Sequence, residues 1–172
     1  MPLNFQEVYA RHAPFVLRAL RRMGVGRADL PDAGQQVFLT VHRRLDSYDG
    51  SSAVRTWLFG ICRRVAADLR DRAHVRREIP HAHEKLPERT EPAGQERAVE
   101  RLEARALLDR FLDLLDDDKR AVFVLYELEE WTMPEVSAAV GCPLQTAYTR
   151  YRAARKIIEE AMQRALTTRG AT

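Results

Sequence analysis

The sequence predicts an all-α fold of two small helical domains joined by a flexible linker. Apolar residues recur every three or four positions along most of the 172 residues, as in amphipathic helices, and no segment alternates as a strand would. The segment 78–96 is instead rich in proline and mixed charge, which is typical of a linker. We therefore place the two domains at residues 1–77 and 97–172.

Three helices are expected in the N-terminal domain, at residues 5–23, about 30–45 and about 54–77. Pro31 is tolerated in the second helix because its first turn has no amide hydrogen bond to lose. Turn-forming residues fill the segment 46–52, which predicts a loop before the third helix. The third helix is expected to expose arginines on one face. Its expected buried residues are Val54, Trp57, Leu58, Ile61, Cys62, Val65 and Leu69.

The C-terminal domain begins with a long amphipathic helix from about residue 95. Asp116, Asp117 and Asp118 end it and can cap the next helix, because acidic groups stabilise the positive N-terminal end of a helix. Capping is favoured over metal binding for this acidic trio. The apolar stripe predicted for the long helix is Val99, Leu102, Ala106, Leu107, Phe111, Leu114 and Leu115.

Residues 133–156 predict a helix-turn-helix. Gly141 and Pro143 end its first helix, since glycine accepts a left-handed conformation and proline cannot continue a helix. One side of the second helix carries arginine, glutamine and threonine, which bond phosphates and base edges, so this helix can enter a major groove. The alternative is an ordinary solvated helix. The short glycine-containing turn and the uncharged polar residues after it favour DNA binding.

Charge is distributed unevenly along the chain, although the net charge is only +3. Residues 1–75 hold twelve arginines against seven acids, and residues 141–172 hold six basic and two acidic side chains. Residues 101–140 are the reverse, with five basic and ten acidic side chains. Basic ends around an acidic middle fit two separate contacts with a polyanion.

Other classes of protein and site are disfavoured. No apolar run approaches the roughly 20 residues that span a bilayer, and no signal-peptide core precedes the first helix. Cys62 and Cys142 lie on separate predicted helical units, which indicates a reduced, cytoplasmic protein without disulfides. His74, His81 and His83 lack the further ligands that a metal site needs. No catalytic residue, metal or cofactor is predicted, because phosphate loops, a serine elbow and H-E-x-x-H are absent.

Three separated stretches match the pattern of one family. Residues 32–39, DAGQQVFL, are similar to a D-L-V-Q-E-x-F-L segment, and residues 54–63 are similar to F-R-x-W-L-x-x-I-A-R. Residues 115–156 are similar to L-P-x-x-x-R-x-V followed by a helix-turn-helix that ends A-x-x-A-R-K. These stretches follow in the right order and spacing. The chain thus resembles the extracytoplasmic-function (ECF) sigma factors, the minimal two-domain members of the bacterial sigma-70 family.

The resemblance implies an alternative sigma factor that binds core RNA polymerase and directs it to specific promoters. The N-terminal domain, sigma region 2, would contact the β′ clamp helices and read and melt the minus-ten element of promoter DNA. The C-terminal domain, sigma region 4, would read the minus-thirty-five element and dock on the β flap. An anti-sigma factor is the expected regulator. The expected location is the cytoplasm, at the nucleoid, without membrane insertion.

Residue by residue, the resemblance implies three sets of contacts. The expected polymerase contacts are Asp32, Gln35 and Gln36. The expected minus-ten contacts are Ser47, Asp49, Arg55, Arg63, Arg64 and Arg70. The expected minus-thirty-five contacts are Gln145, Thr146, Tyr148, Thr149, Arg150, Arg152, Arg155 and Lys156.

The chain departs from the family pattern at four positions. Gln36 replaces a usual glutamate and so removes a negative charge from the expected polymerase contact. Gly34 replaces an aliphatic residue, which loosens the helix by about 1 kcal/mol relative to alanine. Arg64 stands where asparagine is common, and Tyr148 where lysine is common. The last two changes concern promoter preference at the two expected DNA contacts, whereas the general role does not depend on them.

Two other functions are weighed against this one. A stand-alone helix-turn-helix repressor or activator would bind DNA without polymerase, usually as a dimer on symmetric half-sites. The N-terminal half offers no obvious ligand-sensing domain for such a protein. An enzyme is disfavoured by the missing motifs. Whether selective promoter binding requires core polymerase separates the sigma factor from the repressor.

Overall fold

The computed structural model describes the backbone of residues 3–77 and 95–169, and the side chains of residues 3–72 and 101–167. These segments form helices and no strand, which confirms the all-α prediction. A 3₁₀ turn, Leu45–Ser47, follows α2, and a π-helical turn, Val124–Leu128, continues α5. The predicted linker lies outside the described residues except for its last two positions, which belong to α4. The α-helices are α1 (Phe5–Arg22), α2 (Leu30–Arg44), α3 (Val54–Arg77), α4 (Gln95–Leu112), α5 (Asp117–Phe123), α6 (Met133–Val140) and α7 (Leu144–Arg169).

Local sequence explains where several helices begin and end. The Asn4 side chain accepts a hydrogen bond from the Gln6 amide at 2.9 Å and so caps α1. Asp116 caps α5 in the same way, because its Oδ1 accepts from the Lys119 amide at 2.9 Å, as the sequence predicted. Gly141 ends α6 with φ at 71°, in the left-handed region, which confirms the predicted glycine stop.

The largest apolar core is shared by the two halves of the chain. Helices α1, α2 and α3 pack pairwise, and α6 packs on α3. Trp131, 7% exposed, joins the halves: its ring stacks on Phe15 with the ring centroids 6.1 Å apart and lies 6.3 Å from Phe59. Buried aromatic rings of this size contribute strongly to packing. A second core joins α5 and α7 to the end of α4, through Leu112, Leu115, Phe123, Val124, Ala154 and Ile158.

The predicted burial of two helices is partly wrong. On α3, Phe59 is fully buried, whereas Val54 and Trp57 are only half-buried. The reason is that α3 is covered both by α1 and α2 and by α6, so more than one face is buried. On α4, Leu102 and Leu107 are 42% and 38% exposed, because burial along this helix begins only near its C-terminal end.

Candidate nucleic-acid interface

Helices α6 and α7 form a helix-turn-helix whose geometry is set by short-range hydrogen bonds. The Thr132 amide donates to Glu135 Oε2 at 2.8 Å, and the Thr132 hydroxyl donates to the same oxygen at 2.7 Å. These hydrogen bonds lower the pKa of Glu135. At the turn, the Ser137 hydroxyl donates to the Cys142 carbonyl at 2.6 Å. Buried Val136 and other apolar residues then hold α6 against α7.

The outer face of α7 presents most of the predicted minus-thirty-five contacts. Thr146 and Arg150 are half-buried, and Arg150 Nη2 bonds to Asp118 Oδ2 at 2.5 Å. The other members are exposed and recur every three or four residues, so they form one continuous helix face. This exposed set is Gln145, Tyr148, Thr149, Arg152, Arg155 and Lys156.

The loop after α2 holds the first predicted minus-ten contacts. Ser47 and Asp49 are exposed, and the Ser47 hydroxyl donates to the backbone carbonyl at the end of α2 at 2.8 Å. Asp49 Oδ1 accepts from the Ser51 amide at 2.9 Å, and hydrogen bonds from Ser51 lower the pKa of Asp49. Tyr48 and Trp57 pack against each other with ring centroids 5.1 Å apart. These contacts give the loop a defined shape.

The four α3 arginines predicted as minus-ten contacts divide into one exposed residue and three paired ones. Arg64 is exposed. Arg55, Arg63 and Arg70 each form an ion pair with a carboxylate of the C-terminal half. The pairs are Arg55 with Glu129 at 3.0 Å, Arg63 with Asp118, and Arg70 with Asp117. The sequence did not predict these partners, although the acidic composition of residues 101–140 was a signal for them.

Among the side chains that the structure describes, Glu129 is the centre of the largest ion-pair cluster between the halves. Its side chain is 5% exposed, and its carboxylate lies 2.5 Å from Arg22 Nη1 and 3.4 Å from Arg18 Nη2, besides Arg55. The Arg55 guanidinium also lies over two aromatic rings, 4.7 Å from the Phe15 centroid and 5.1 Å from the Trp131 centroid. One carboxylate thus gathers three arginines of α1 and α3 beside an aromatic contact.

Arg120 of α5 makes a second, buried link between the halves. It is 3% exposed, and its Nε donates to the Arg22 carbonyl at the end of α1 at 2.6 Å. Its Nη1 donates to Asp113 Oδ1 at 2.9 Å, and burial lowers the pKa of Arg120. Gly24 makes room for this guanidinium, because a Cβ there would lie 3.1 Å from Nη1 and its φ is 94°.

The predicted polymerase contacts lie on the surface of α2. Asp32, Gln35 and Gln36 are exposed beside an apolar groove of about 590 Å³ between α1 and α2. Gly34 is buried here, and a Cβ on it would lie 3.0 Å from Leu17 Cδ2, so the glycine lets α1 and α2 approach closely. Three large groove residues are about half exposed: Tyr9, Leu17 and Leu39.

Few features among the described residues point to other chemistry. Within residues 3–72 and 101–167, no group of three or more His, Cys, Asp or Glu side chains is placed to hold a metal ion. His81, His83 and the side chain of His74 lie outside that part of the chain. Cys62 and Cys142 are both free. The helices of the described ranges include none that is long and apolar enough to cross a bilayer.

Comparison with known proteins identifies both halves. Residues 8–77 match the family model of sigma-70 region 2, and residues 105–158 match that of sigma-70, region 4. The ECF RNA polymerase sigma-E factor of Escherichia coli strain K12 is 30% identical over 146 residues, which are 81% of this chain and 76% of that protein. The RNA polymerase sigma factor NccH of Alcaligenes xylosoxydans xylosoxydans is 27% identical over 161 residues, which are 92% of this chain and 87% of NccH.

Two solved structures share the fold. One is the structure of CnrH in complex with the cytosolic domain of CnrY, with a TM-score of 0.68 and 24% identity, over 92% of this chain and 87% of the matched chain. The other is the sigma factor RpoE in complex with the anti-sigma factor NepR from Bartonella quintana, with a TM-score of 0.68 and 17% identity. It covers 92% of this chain and 96% of the matched one.

Proposed function

Because this chain belongs to the ECF family of RNA polymerase sigma factors, we propose that it binds core RNA polymerase and directs it to specific promoters. The observation that carries this proposal is the presence of both sigma-70 regions, in order, on one chain. Region 2 would melt the minus-ten element and region 4 would read the minus-thirty-five element. The protein acts as an initiation factor and leaves nucleotide addition to the polymerase.

The exposed face of α7 is the proposed binding site for the minus-thirty-five element. Its exposed glutamine and threonine can bond base edges, and Arg152 and Lys156 can bond phosphates or guanine. Arg150 is less available, because it already pairs with Asp118. We therefore assign the larger share of DNA affinity on this face to Arg152 and Lys156.

The loop containing Ser47 and Asp49, together with α3, is the proposed minus-ten site. Melting requires that single-stranded bases be held outside the stack, which costs a few kcal/mol per base and calls for hydrogen-bonding groups beside backbone cations. The loop supplies exposed polar groups, and α3 supplies arginines. Among the four α3 arginines predicted for this element, Arg64 is exposed, whereas Arg55, Arg63 and Arg70 form ion pairs.

The α2 face is the proposed site for the β′ clamp helices of core polymerase. Asp32, Gln35 and Gln36 provide hydrogen-bonding groups, and the neighbouring groove provides apolar surface that a helix can cover. Region 4 would dock on the β flap. Such activity takes place in the cytoplasm at the nucleoid, where core polymerase meets the chromosome.

An anti-sigma factor is the proposed external regulator. The support is a likeness of fold: the RpoE chain that shares this fold was solved in complex with the anti-sigma factor NepR. The groove between α1 and α2 exposes apolar side chains, and exposed apolar patches usually mark protein interaction sites. We therefore propose this groove as part of the surface that an anti-sigma factor covers.

In vitro transcription tests the proposal directly. Bacterial core polymerase is incubated with a pooled promoter library, with and without the protein, and defined starts are expected only when the protein is present. Arg152→Ala should weaken selective initiation about tenfold, as loss of one base or phosphate contact does. Arg101→Ala, which removes an exposed arginine of α4, is the matched control and should change initiation less than twofold.

Absence of selective initiation, combined with tight binding to duplex DNA without polymerase, would contradict the proposal. That result would identify a stand-alone helix-turn-helix regulator instead.

A further inference from the structure

We propose that Tyr151 is a positioning residue for promoter DNA: its hydroxyl, anchored on Glu127, holds the Arg155 guanidinium at a fixed place on the exposed face of α7, where it bonds a backbone phosphate. Neither Tyr151 nor Glu127 is among the DNA contacts expected from the sequence. The inference rests on the proposed function, because it takes the exposed face of α7 as the binding site for the minus-thirty-five element.

The ring of Tyr151 is fixed by packing on α5 and on the turn that follows it. Its centroid lies 6.4 Å from that of Phe123, with 22° between the ring planes, and 4.6 Å from that of Tyr126, with 65° between the planes. Stacked and edge-to-face pairs of this kind are the favourable arrangements of aromatic rings. Because Tyr151 is half-buried against both rings, its side chain has little freedom to rotate.

The Tyr151 hydroxyl is fixed as well, because it donates a hydrogen bond to Glu127 Oε2 at 2.7 Å. Glu127 lies in the π-helical turn Val124–Leu128, which begins with the fully buried Val124 and Leu125. Burial raises the pKa of Tyr151, and the hydrogen bond to Glu127 raises it further, so the hydroxyl keeps its proton and remains the donor. A carboxylate on a well-packed turn thus sets where the Tyr151 oxygen lies.

Arg155 lies one helical turn after Tyr151 on α7, so the two side chains share a face of the helix. Its Nε donates to Glu159 Oε1 at 2.6 Å, one turn further on. Glu159 raises the pKa of Arg155, and Tyr151 raises it less strongly, in agreement with a guanidinium held between the two. An arginine has five N–H donors, so these contacts leave N–H groups that can bond a phosphate.

Holding Arg155 in this way favours DNA binding. Its side chain is 60% exposed and lies on the same face as Arg152 and Lys156, so a DNA backbone can reach it. An unrestrained arginine loses conformational entropy when it bonds a phosphate, whereas a side chain that is already held loses less. The first residues of a recognition helix contact bases, and Arg155 lies about three turns along α7, a position that suits a contact with the backbone.

Binding of the full chain to duplex DNA tests this role. The probe is a fluorescein-labelled duplex of about 20 base pairs and mixed sequence, followed by anisotropy at several salt concentrations, because phosphate contacts do not depend on sequence. Tyr151→Phe removes the hydroxyl and leaves the ring and the net charge unchanged. We expect it to weaken binding about threefold in the wild-type background and less than about 1.5-fold in Arg155→Ala, since the hydroxyl acts through Arg155.

Tyr126→Phe is the matched control, because it removes a hydroxyl from the neighbouring half-buried ring. It should weaken binding less than about 1.5-fold in both backgrounds. A merely structural role of the Tyr151 hydroxyl would instead give the same loss whether or not Arg155 is present.

The salt dependence shows whether Arg155 bonds a phosphate. Arg155→Ala should lower the slope of log affinity against log salt by about 0.9, as the loss of one phosphate contact does. Arg101→Ala, which removes an exposed arginine of α4, should leave the slope nearly unchanged. Three results would each overturn the inference: no binding of the wild type to the duplex at low salt, equal effects of Tyr151→Phe in the two backgrounds, or an unchanged slope in Arg155→Ala.

Two further measurements keep the outcomes separable. If circular dichroism shows that Tyr151→Phe is unfolded, Glu127→Ala removes the acceptor of the hydroxyl instead, and its effects in the two backgrounds should differ about threefold. Transcription by the wild type with core polymerase tests the proposed function. No selective initiation there would remove that function, whereas normal transcription with equal effects of Tyr151→Phe in both backgrounds would remove the positioning role alone.

Discussion

Replacement of Arg120 by methionine is expected to destabilise the protein by about 2 kcal/mol. The change removes a charge-assisted hydrogen bond from Nε to the Arg22 carbonyl, 2.6 Å long, at a residue that is 3% exposed. Hydrogen bonds to charged groups contribute about 1.5–3 kcal/mol, and the carbonyl at the end of α1 is left without this donor. Loss of the Asp113 contact adds little, because that side chain is 67% exposed and water can solvate it.

Replacing Arg120 also removes the free-energy cost of burying its charge, which stabilises the variant and so opposes the loss of the hydrogen bond. A guanidinium at this depth costs free energy to bury, and methionine does not carry that cost. Replacing a buried ion pair by apolar residues can even stabilise a protein when both partners are replaced. Here the Arg22 carbonyl remains, so we expect the hydrogen-bond loss to exceed the relief. In a chain of this size a loss of about 2 kcal/mol lowers Tm by about 4–8 °C.

Urea unfolding followed by circular dichroism measures this loss. Lys119→Met is the matched control, because Lys119 pairs with the exposed Asp116 and should lose less than about 0.5 kcal/mol. Arg120→Lys should fall between the two, since one ammonium keeps the charge but not the planar fork. An Arg120→Met protein within about 0.5 kcal/mol of the wild type, or a loss equal to that of Lys119→Met, would refute the argument.

The remaining predictions concern thiol reactivity and acid stability. Burial raises the pKa of Cys62 to about 12, so at about pH 8 iodoacetamide should alkylate the half-buried Cys142 in the folded protein and reach Cys62 only in urea. Rapid alkylation of Cys62 in native buffer would contradict its burial. Hydrogen bonds from Lys119 lower the pKa of Asp116 in the folded protein. The ionised carboxylate therefore contributes fully to the free energy of unfolding above the usual aspartate pKa, and this contribution is lost as the pH falls through the lowered value. Asp116→Asn keeps an N-cap acceptor without the charge, so the unfolding free energy of this variant should vary less with pH in acid than that of the wild type. An unchanged pH profile would exclude a contribution of the Asp116 charge to stability.

Helix boundaries were largely predictable because they depend on neighbouring residues. The structure begins α3 at Val54 and ends α6 at Gly141, where the sequence places them. Asp116 caps α5 as expected. At Asp116 and Gly141 a residue within one turn makes a backbone hydrogen bond at the helix end, so the signal lies in a few consecutive positions.

Burial was less predictable because it depends on what covers each face. Phe59 is fully buried since α3 is covered on a second side, and periodicity alone describes only one stripe. Leu102 on α4 shows the opposite error: the helical stripe is present, but the side chain is 42% exposed. A stripe of apolar residues indicates that a face can be buried, not that a partner reaches it.

The candidate DNA contacts illustrate the same limit. The sequence indicated that arginines of α3 could bind a polyanion, and that the segment 101–140 is acidic. It could not indicate that Glu129 would gather Arg22 and Arg55 in the folded protein, since these residues lie more than 70 positions apart. The basic and acidic segments attract each other as well as attracting other partners, and composition does not distinguish the two.

By itself, then, the sequence determined the all-α class, the helix-turn-helix and, through three spaced motifs, the family. Helix propensity, capping and turn chemistry act over a few residues, and the motifs retain their order along the chain. Only the tertiary structure decided that Trp131 packs between the halves and that carboxylates of one half bond the arginines of the other. The physical reason is that such contacts depend on how whole helices are placed against each other, and neither charge nor periodicity within a segment contains that placement.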